Sequence, residues 1–543
     1  MSSPSEKNPP SHLLLAAPLS AWSPLANPVF RMLWLAWLTA NVCMWMNDVA
    51  AAWLMTSLAT SPVMVALVQA ASTLPVFLFG VPSGALADIV DRRRYFIATQ
   101  FWAASVAVVL CLTVLTGTLN ALLLLALTFA NGIGLAMRWP VFAALIPELV
   151  PRAQLPAAVA LNGISMNGSR IIGPIVAGAI LATAGSAYVF MLNAAVSIAL
   201  AAILLRWKRE HKVSALPSER FFGAIRVGLQ FVRQSPVMLA LLLRVFTFFL
   251  TTTALLALLP LLAKRMPGGN AQTFTLLFAL MGMGAIIAVI FLPRVRLFMT
   301  RDQLVMYGTL LHCGATLAAA FAPSFVIAAP AMFIAGMAWI SVANSLTVAA
   351  QMALPDWVKA RGMSVHQMAM MGGTAIGAAL WGQVAALTDL TTSLALSAAI
   401  GAGLLLYTRR FKVGDRADED LTPAGLWKEP EVAIAFDREQ GPVMVTVEYR
   451  IDPDRAEEFV ALMRDSRRVW LRNGVLAWEL FHDTADPHRY IEYFVDESWV
   501  EYLRRNDRIT ATHVALREKK SALHTGDGPP VVSRYIAVPV LGS

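Results

Sequence analysis

The sequence predicts an all-α polytopic membrane protein with two six-helix halves, about twelve transmembrane helices in all, followed by a C-terminal ferredoxin-like α+β domain. Of the 543 residues, 57% are hydrophobic and only 14% are charged, which is more apolar surface than a soluble chain can bury. The apolar residues form runs of about 20, the length that crosses a bilayer. These runs stop after Arg410, where the patterns of a soluble domain begin.

The apolar runs fall into two sets of six, a layout that secondary transporters use. They begin near Val29, Pro62, Tyr95, Asn120, Leu155 and Ala187, and again near Pro236, Thr273, Gln303, Ser324, Arg361 and Thr391. We therefore divide the chain into an N-terminal cytosolic arm (1–28), a first half (29–206), a cytoplasmic central loop (207–235), a second half (236–410), a linker (411–440) and a ferredoxin-like domain (441–543).

Basic residues are concentrated in alternate loops, which fixes the expected orientation. The stretch that separates the two halves carries Arg206, Lys208, Arg209, Lys212, Arg220, Arg226 and Arg233. Loops rich in Lys and Arg stay in the cytoplasm, and an even number of spans in each half places both termini there too. The sequence thus predicts a multi-pass protein of the bacterial inner membrane with cytoplasmic termini.

Several classes of site are not encoded. The net charge of +9 does not indicate a nucleic-acid partner, because the basic residues form no stripe with interleaved aromatic residues. Cys43, Cys111 and Cys313 lie in separate apolar runs, a spacing that suits neither a disulfide framework nor a zinc site. The sequence also lacks a GxxxxGK nucleotide-binding loop. We expect no cofactor, no metal and no direct use of ATP.

The C-terminal segment shows the pattern β-α-β-β-α-β, which is typical of a ferredoxin-like fold. Alternating and helical periodicities succeed one another there, and the turn between the middle strands is expected at Asp486-Pro487. The expected elements are a strand at 442–451, a helix that carries Phe459 and Met463, strands at 477–482 and 489–495, a helix at 498–523 and a last strand at 531–538.

The loop between the second and third spans carries Gly84, Asp88, Arg92 and Arg93. These residues resemble the loop signature of the major facilitator superfamily, although Asp91 stands where that family usually has a second glycine. The resemblance implies a conformational latch, since Gly84 permits close helix approach and Asp88 can pair with a charge or cap a helix. The alternative is an ordinary basic loop on the cytoplasmic side.

A second motif, Gly173-Pro174 with Gly178, lies on the fifth span. It resembles the signature that marks proton-coupled exporters in the same superfamily, with Ala177 in place of a glycine. Small residues let helices pack closely, and Pro174 permits bending. With further pattern elements the resemblance covers residues 28–410, and it is to the branch that contains the enterobactin exporter and macrolide efflux proteins.

Charges inside spans are costly, and they usually face the bundle interior and mark a pathway. The candidates for proton coupling or substrate binding are Asp48, Arg138, Arg170, Arg244 and His366, while His312 is interpreted as a polar packing residue. A carboxylate or an imidazole can exchange protons at cellular pH, so Asp48 is the first coupling candidate and His366 the second. An alternative hypothesis pairs Asp48 with an arginine as a structural ion pair.

Three embedded arginines against one carboxylate predict a positive interior, which favours an anionic or phenolate substrate. The leading hypothesis is a proton-coupled exporter of siderophore-like, phenolic or amphipathic drug-like molecules that works by alternating access. Its partners would be a small-molecule substrate, the proton and membrane lipid. The alternatives are a lysophospholipid or nutrient transporter of the same superfamily, and a membrane-tethered oxidase or sensor.

The C-terminal domain resembles the antibiotic-biosynthesis monooxygenase-like family through Phe459, Trp478, Trp499 and the helical stretch 502–508. Ferredoxin-like units of that family pair into α/β barrels, which implies a homodimer through this domain. The family includes oxidases and many proteins that are not enzymes. Asn506 stands where a histidine is expected, so the resemblance implies a dimerising or regulatory module rather than a catalytic one.

Overall fold

The computed structural model describes residues 22–89, 91–151, 154–206, 221–355, 357–411 and 432–538. Helices of the first half are α1 (Pro28–Leu58), α2 (Pro62–Ile89), α3 (Arg92–Leu115), α4 (Ala121–Leu149), α5 (Leu155–Thr183) and α6 (Ser186–Arg206). A helix within the predicted central loop is α7 (Phe221–Gln234). The second half contains α8 (Pro236–Ala257), α9 (Leu259–Arg265), α10 (Ala271–Val295), α11 (Arg301–Ala320), α12 (Phe325–Met352), α13 (Lys359–Leu387) and α14 (Leu390–Thr408).

Polar residues set the helix starts. Asn27 caps α1, Asn120 caps α4, Ser235 caps α8 and Asp389 caps α14, each through a side-chain oxygen that accepts a backbone N–H. Every predicted span therefore corresponds to a helix that begins within three residues of its expected start.

Eleven of the described helices are long and apolar enough to cross a membrane. The predicted ninth span, α11, is also long enough at 20 residues, which is about 30 Å of helix. It carries more polar side chains than the others, including the buried Thr309, His312 and Thr316. Because α11 packs against α12 and α14, these polar groups lie inside the second half.

The hydrophobic cores differ between the two ends of the bundle. We call the end where α1 begins and α14 ends the basic end, and the opposite end the far end. At the far end one cluster joins both halves and contains Met55 of the first half and Leu258 of the second. At the basic end the cluster around Trp37 and the cluster around Met238 are separate. The halves are thus packed together at the far end.

Two helix pairs form most of the contact between the halves, α2 with α13 and α5 with α10. At the first crossing Gly372 faces the Phe77 ring, and a Cβ on Gly372 would lie 2.8 Å from that ring. The far end is also tied by Lys264, whose Nζ donates to the Thr56 carbonyl at 3.0 Å.

The C-terminal domain has the predicted ferredoxin-like fold. Its four-stranded antiparallel sheet has the order β2-β3-β1-β4. The elements are β1 (Val443–Arg450), α15 (Ala456–Arg472), β2 (Ala477–His482), β3 (Arg489–Asp496), α16 (Trp499–Asp507), α17 (Ala511–Ala522) and β4 (Val531–Ile536). The single helix predicted at 498–523 is instead two helices, because Thr510 starts α17 with its N–H bonded to His513 Nδ1 at 3.1 Å.

Candidate functional site

One face of α1 carries the residues from which a site can be built. Trp37, Asn41, Met44, Trp45 and Asp48 follow one another at intervals of three or four residues, or are adjacent, so they lie along one side of the helix. Asn41 Nδ2 donates to the Trp37 carbonyl at 2.8 Å, which keeps this amide within the helix. The face is therefore aromatic and polar, and it ends towards the far end at a carboxyl group.

Arg138 of α4 lies against this face near the basic end. Its guanidinium is centred 5.4 Å from the Trp37 ring, and its Nη2 is 4.0 Å from Met44 Sδ. The side chain is only 6% exposed, and its Nε has no hydrogen-bond partner among the described residues. Trp37 is itself held by stacking on Phe142 at 4.1 Å. Arg138 is thus a buried cation with an open donor.

Arg170 of α5 lies between the two halves. Its guanidinium is 4.0 Å from the ring of Trp339 in α12 and 5.1 Å from the ring of Trp45 in α1. A guanidinium stacked on aromatic faces is attracted by their negative π surfaces. Arg170 therefore bridges the halves through one aromatic partner from each.

The space around Arg170 is small in this conformation. A cavity of about 10 Å³ lies beside Arg170, Phe278 and Trp339, room for about one water molecule. Gly282 and Gly336 also line it; the lack of a side chain at Gly282 lets α10 approach α5, and at Gly336 it lets α12 approach α10. A larger substrate could reach Arg170 only after the halves separate.

Asp48 lies one helical turn beyond Met44 and Trp45, which contact Arg138 and Arg170 respectively. The side chain is half-buried. No ion pair or hydrogen bond to its carboxyl occurs within the described part of the chain. The described residues therefore include no arginine contact that would form the hypothesised structural pair with Asp48.

Both embedded histidines have local polar neighbours. His366 Nε2 is 3.3 Å from Thr347 Oγ1, a contact between α13 and α12 within the second half. His312 Nδ1 is 3.3 Å from Thr316 Oγ1 on its own helix, and its ring packs edge-on to Phe248. His312 therefore has the surroundings of a packing residue, and His366 lies apart from the α1 face.

Arg244 differs from the other embedded arginines because it has a carboxylate partner. Its Nη1 donates to Asp302 at the start of α11, and its Nε donates to the Thr408 carbonyl of α14 at 3.3 Å. These bonds tie α8 to α11 and α14 inside the second half. The expected interior surplus of three arginines is therefore reduced to Arg138 and Arg170.

This ion pair gives a stability prediction. Arg244→Met is expected to destabilise the second half by roughly 2 kcal/mol, because it removes a charge-assisted bond to the partly exposed Asp302 carboxylate. The measurement is the thermal unfolding midpoint of the purified protein in detergent. The double variant Arg244→Met, Asp302→Leu should recover most of the loss, and equal unfolding midpoints for wild type and Arg244→Met would refute the structural role.

The glycines of the fifth-span motif lie at two helix crossings. A Cβ on Gly173 would lie 2.5 Å from Trp45 Cβ and 3.0 Å from the Val42 carbonyl oxygen, so Gly173 lets α5 approach the α1 face. Gly178 faces Thr275 of α10, across the contact between the halves. Pro174 lies inside α5 between them. The motif therefore positions α5 against a helix of each half.

Gly178→Ala is expected to weaken the packing of α5 against α10 by about 1–3 kcal/mol, because the new methyl group would overlap Thr275. Transport should fall, while Gly178→Ala combined with Thr275→Gly should recover it by vacating the same space. The measurement is initial transport rate in a double-mutant cycle with Thr275→Gly alone. If the effects of the two substitutions simply add, the loss of transport is not caused by overlap with Thr275, and the prediction is wrong.

In the loop motif, Gly84 and Asp88 lie near the end of α2 and Arg92 begins α3, but these side chains are outside the described set. Arg93 Nη2 donates to the Leu205 carbonyl of α6 at 2.5 Å, within the first half. Asp91 accepts the Arg94 N–H at 2.8 Å and so caps α3. Its φ of −53° needs no glycine, which explains why aspartate can replace the usual residue.

Two partners of the embedded arginines, Trp339 and Asp302, were not identified from the sequence. Trp339 is one of several tryptophans in apolar runs, and nothing in its spacing separates it from a lipid-facing anchor. Asp302 lies at the end of a span, where a carboxylate normally belongs to a loop. For Asp302 the available indication was the embedded Arg244, which required a partner.

A family model described as transmembrane secretion effector matches residues 19–540. The enterobactin exporter EntS of Escherichia coli O1:K1 is 26% identical over 392 residues, 70% of this chain and 90% of that protein. The staphyloferrin A transporter of Staphylococcus aureus is 26% identical over 259 residues, 46% of this chain and 63% of that protein, so the match spans less than two thirds of its length.

Among solved structures, a bacterial homolog of the human lysosomal transporter Spinster superposes with a TM-score of 0.56 at 16% identity, covering 72% of this chain and 96% of that one. The nucleoside transporter NupG gives a TM-score of 0.56 at 13% identity, covering 70% and 99%. These likenesses show a shared fold. The chain belongs to the transmembrane secretion effector family of major facilitator transporters, and it is a transporter rather than an enzyme.

Proposed function

We propose that the protein exports small aromatic anions in exchange for protons. The observation that carries this proposal is the position of Arg170, which bridges Trp45 of one half and Trp339 of the other. A cation held by aromatic faces from both halves can bind an anionic ring. When the halves separate, this cation would lose at least one of its aromatic partners, Trp45 or Trp339. Binding and conformational change would then share one residue.

Charge and shape support the proposed substrate class. Once Arg244 is paired with Asp302, the embedded groups near the α1 face are two arginines and one carboxylate. The aromatic side chains beside them suit a planar ring, and the positive surplus suits an anion. Relatives named as enterobactin and staphyloferrin A transporters support siderophore-like substrates.

Two features of the bundle support the proposed direction. We assign the basic end to the cytoplasm by the positive-inside rule, in a bacterial inner membrane. The halves share a core at the far end and have separate cores at the basic end, which suits substrate entry from the cytoplasm. Rocking of the halves would then release substrate at the far end.

Coupling is assigned to Asp48. It lies one turn from the residues that contact Arg138 and Arg170, and a carboxyl group can carry a proton across in its neutral form. Exchange requires that Asp48 is deprotonated while substrate is bound and protonated while the empty site returns. Proton entry from the far end would then accompany the step that resets the transporter.

The test uses inverted membrane vesicles with an acid lumen. Labelled catecholate siderophore should accumulate in vesicles that contain the protein, and an uncoupler should stop the accumulation. Ethidium, a planar cation, is the matched probe of opposite charge and should not accumulate. Uptake of ethidium without uptake of the catecholate would refute the substrate class, and uptake that persists with the uncoupler would refute proton coupling.

A further inference from the structure

The C-terminal domain contains a cavity that plays no part in the proposed transport cycle. Its volume is about 180 Å³, and a cavity of roughly 150 Å³ can hold one benzene ring. Its apolar wall comes from the sheet and from α15, through Val445, Val447, Trp470, Phe494 and Val532. The cavity therefore has the size and lining for a single aromatic ring.

The buried carboxylate of the cavity, Glu492, is already fully bonded. Its oxygens accept five hydrogen bonds at 2.8–3.1 Å from Ser466, Trp470, Trp478, Tyr449 and Lys520. Burial alone would raise the pKa of Glu492, but Lys520 and the donated bonds hold that pKa below its ordinary value. Glu492 is therefore an ionised structural group, without lone pairs to serve as a base.

Two other polar groups in the cavity wall are not satisfied. Arg505 is 1% exposed, and its Nε and Nη2 bind Asp496 at 2.8 and 3.0 Å. Its Nη1, and Nδ2 of Asn473, have no hydrogen-bond partner in the described ranges. Both residues line the cavity. A buried donor without a partner lowers stability, and a ligand with acceptor oxygens would supply the missing hydrogen bonds.

The charges of the cavity wall select the sign of that ligand. Arg505 is neutralised by Asp496 and Lys520 by Glu492. The wall also contains the cations Arg517 and Arg534. His513 also lines it, but burial and then Arg472 lower the pKa of His513 to about 4, so it adds no charge at neutral pH. The wall thus favours an anion.

The same wall reaches the membrane domain. The Asn473 carbonyl accepts from Arg508 Nη1 at 3.2 Å, and the Arg508 guanidinium lies 4.6 Å from the ring of Trp357, between α12 and α13. Gly474, at a φ of 102°, packs against Val227 of α7. The turn at Asn473-Gly474 therefore connects the cavity to both the second half and α7.

Further contacts fix the domain on α7. Arg226 pairs with Glu497 at 2.7 Å, and Gln230 Nε2 donates to the Val475 carbonyl at 2.9 Å. Phe231 of α7 packs edge-on to Trp357. Since α7 also contacts α2 and α13, it touches both halves of the bundle. A change in the domain can thus reach the crossing between the halves.

We propose that the C-terminal domain is a sensor for a single-ring aromatic carboxylate, which Arg505 and Asn473 bind through its oxygens. Occupancy is transmitted through the Asn473-Gly474 turn and Arg508 to Trp357 and α7. The binding step stands independently of the proposed transport function. The effect of the ligand on export rests on that function.

The binding test is calorimetric titration of the full-length protein in detergent with benzoate, and with benzamide as the neutral isostere. Val532→Trp fills the cavity and Asn473→Leu removes a donor, and each should weaken benzoate binding at least about tenfold. Val531→Trp, on the adjacent exposed position of β4, is the matched control and should bind as wild type does. Benzamide should bind at least about tenfold more weakly than benzoate.

Benzoate binding that is unchanged in both Val532→Trp and Asn473→Leu would overturn the site. Equal binding of benzamide would overturn the anion preference. Arg170→Gln removes the charge of the transport site and should leave this binding intact, so failure of one proposal is distinguished from failure of the other.

The transmission step is tested by hydrogen exchange of the same full-length protein. Benzoate should change exchange in peptides from α7 and from the loop around Trp357. Arg508→Gln should retain benzoate binding and lose that change. An identical exchange response in Arg508→Gln, or none in wild type, would overturn the transmission route.

Discussion

Asp48→Asn is expected to abolish proton-driven accumulation of an anionic substrate, the largest effect that we predict for a single substitution. Asparagine keeps the size and polarity of the side chain but cannot exchange a proton. Downhill exchange of substrate for substrate should persist, because that process needs no proton. The measurements are gradient-driven uptake and counterflow in the same inverted vesicles.

Asp389→Asn is the matched control for Asp48→Asn. Asp389 is exposed at the start of α14, where its carboxylate accepts the Thr392 N–H at 3.0 Å, and asparagine is an equally good cap. Its transport should equal that of wild type. Loss of counterflow in Asp48→Asn would contradict a specific coupling role, because it would show that substrate binding or folding had failed.

Arg170→Gln is expected to weaken substrate binding by about 2 kcal/mol, roughly 30-fold in affinity, because it removes a charge-assisted bond to the anion. Arg170→Lys should lie between the two, since lysine keeps the charge and loses the planar stacking on Trp45 and Trp339. The measurement is the substrate concentration for half-maximal uptake.

The control for this substitution is Arg294→Gln. Arg294 is exposed on α10 and stacks on Phe291 of its own helix at 5.7 Å, so it makes a similar contact away from the α1 face. Uptake should be unaffected there. An affinity that is the same in Arg170→Gln and wild type would remove Arg170 from the substrate site.

The spans and the embedded charges could both be predicted because each stands out in the sequence. An apolar run of about 20 residues is long enough to cross a bilayer, and a charge inside such a run is conspicuous. Asp48, Arg138 and Arg170 could be chosen on that basis. The ferredoxin-like order could also be predicted, because strand and helix periods differ along 442–538.

The partners of those charges could not be predicted in the same way. Trp339 contacts Arg170 from a different half, and only the packing of α5 against α10 and of α10 against α12 brings them together. Asp302 neutralises Arg244 from the end of a neighbouring helix. Helix α7 lies in a stretch that its arginines indicated to be a cytoplasmic loop, so the apolar face of this helix was not recognised. Long-range pairing was thus the missing information for Trp339 and Asp302.

The central claim is that substrate and proton move in opposite directions through a site that depends on Asp48. The most direct test reconstitutes the purified protein in liposomes that contain a pH-sensitive dye, and adds catecholate to one side. We predict a substrate-dependent proton flux in wild type that is absent in Asp48→Asn. Substrate movement without proton flux in wild type, or equal proton flux in both proteins, would contradict the claim.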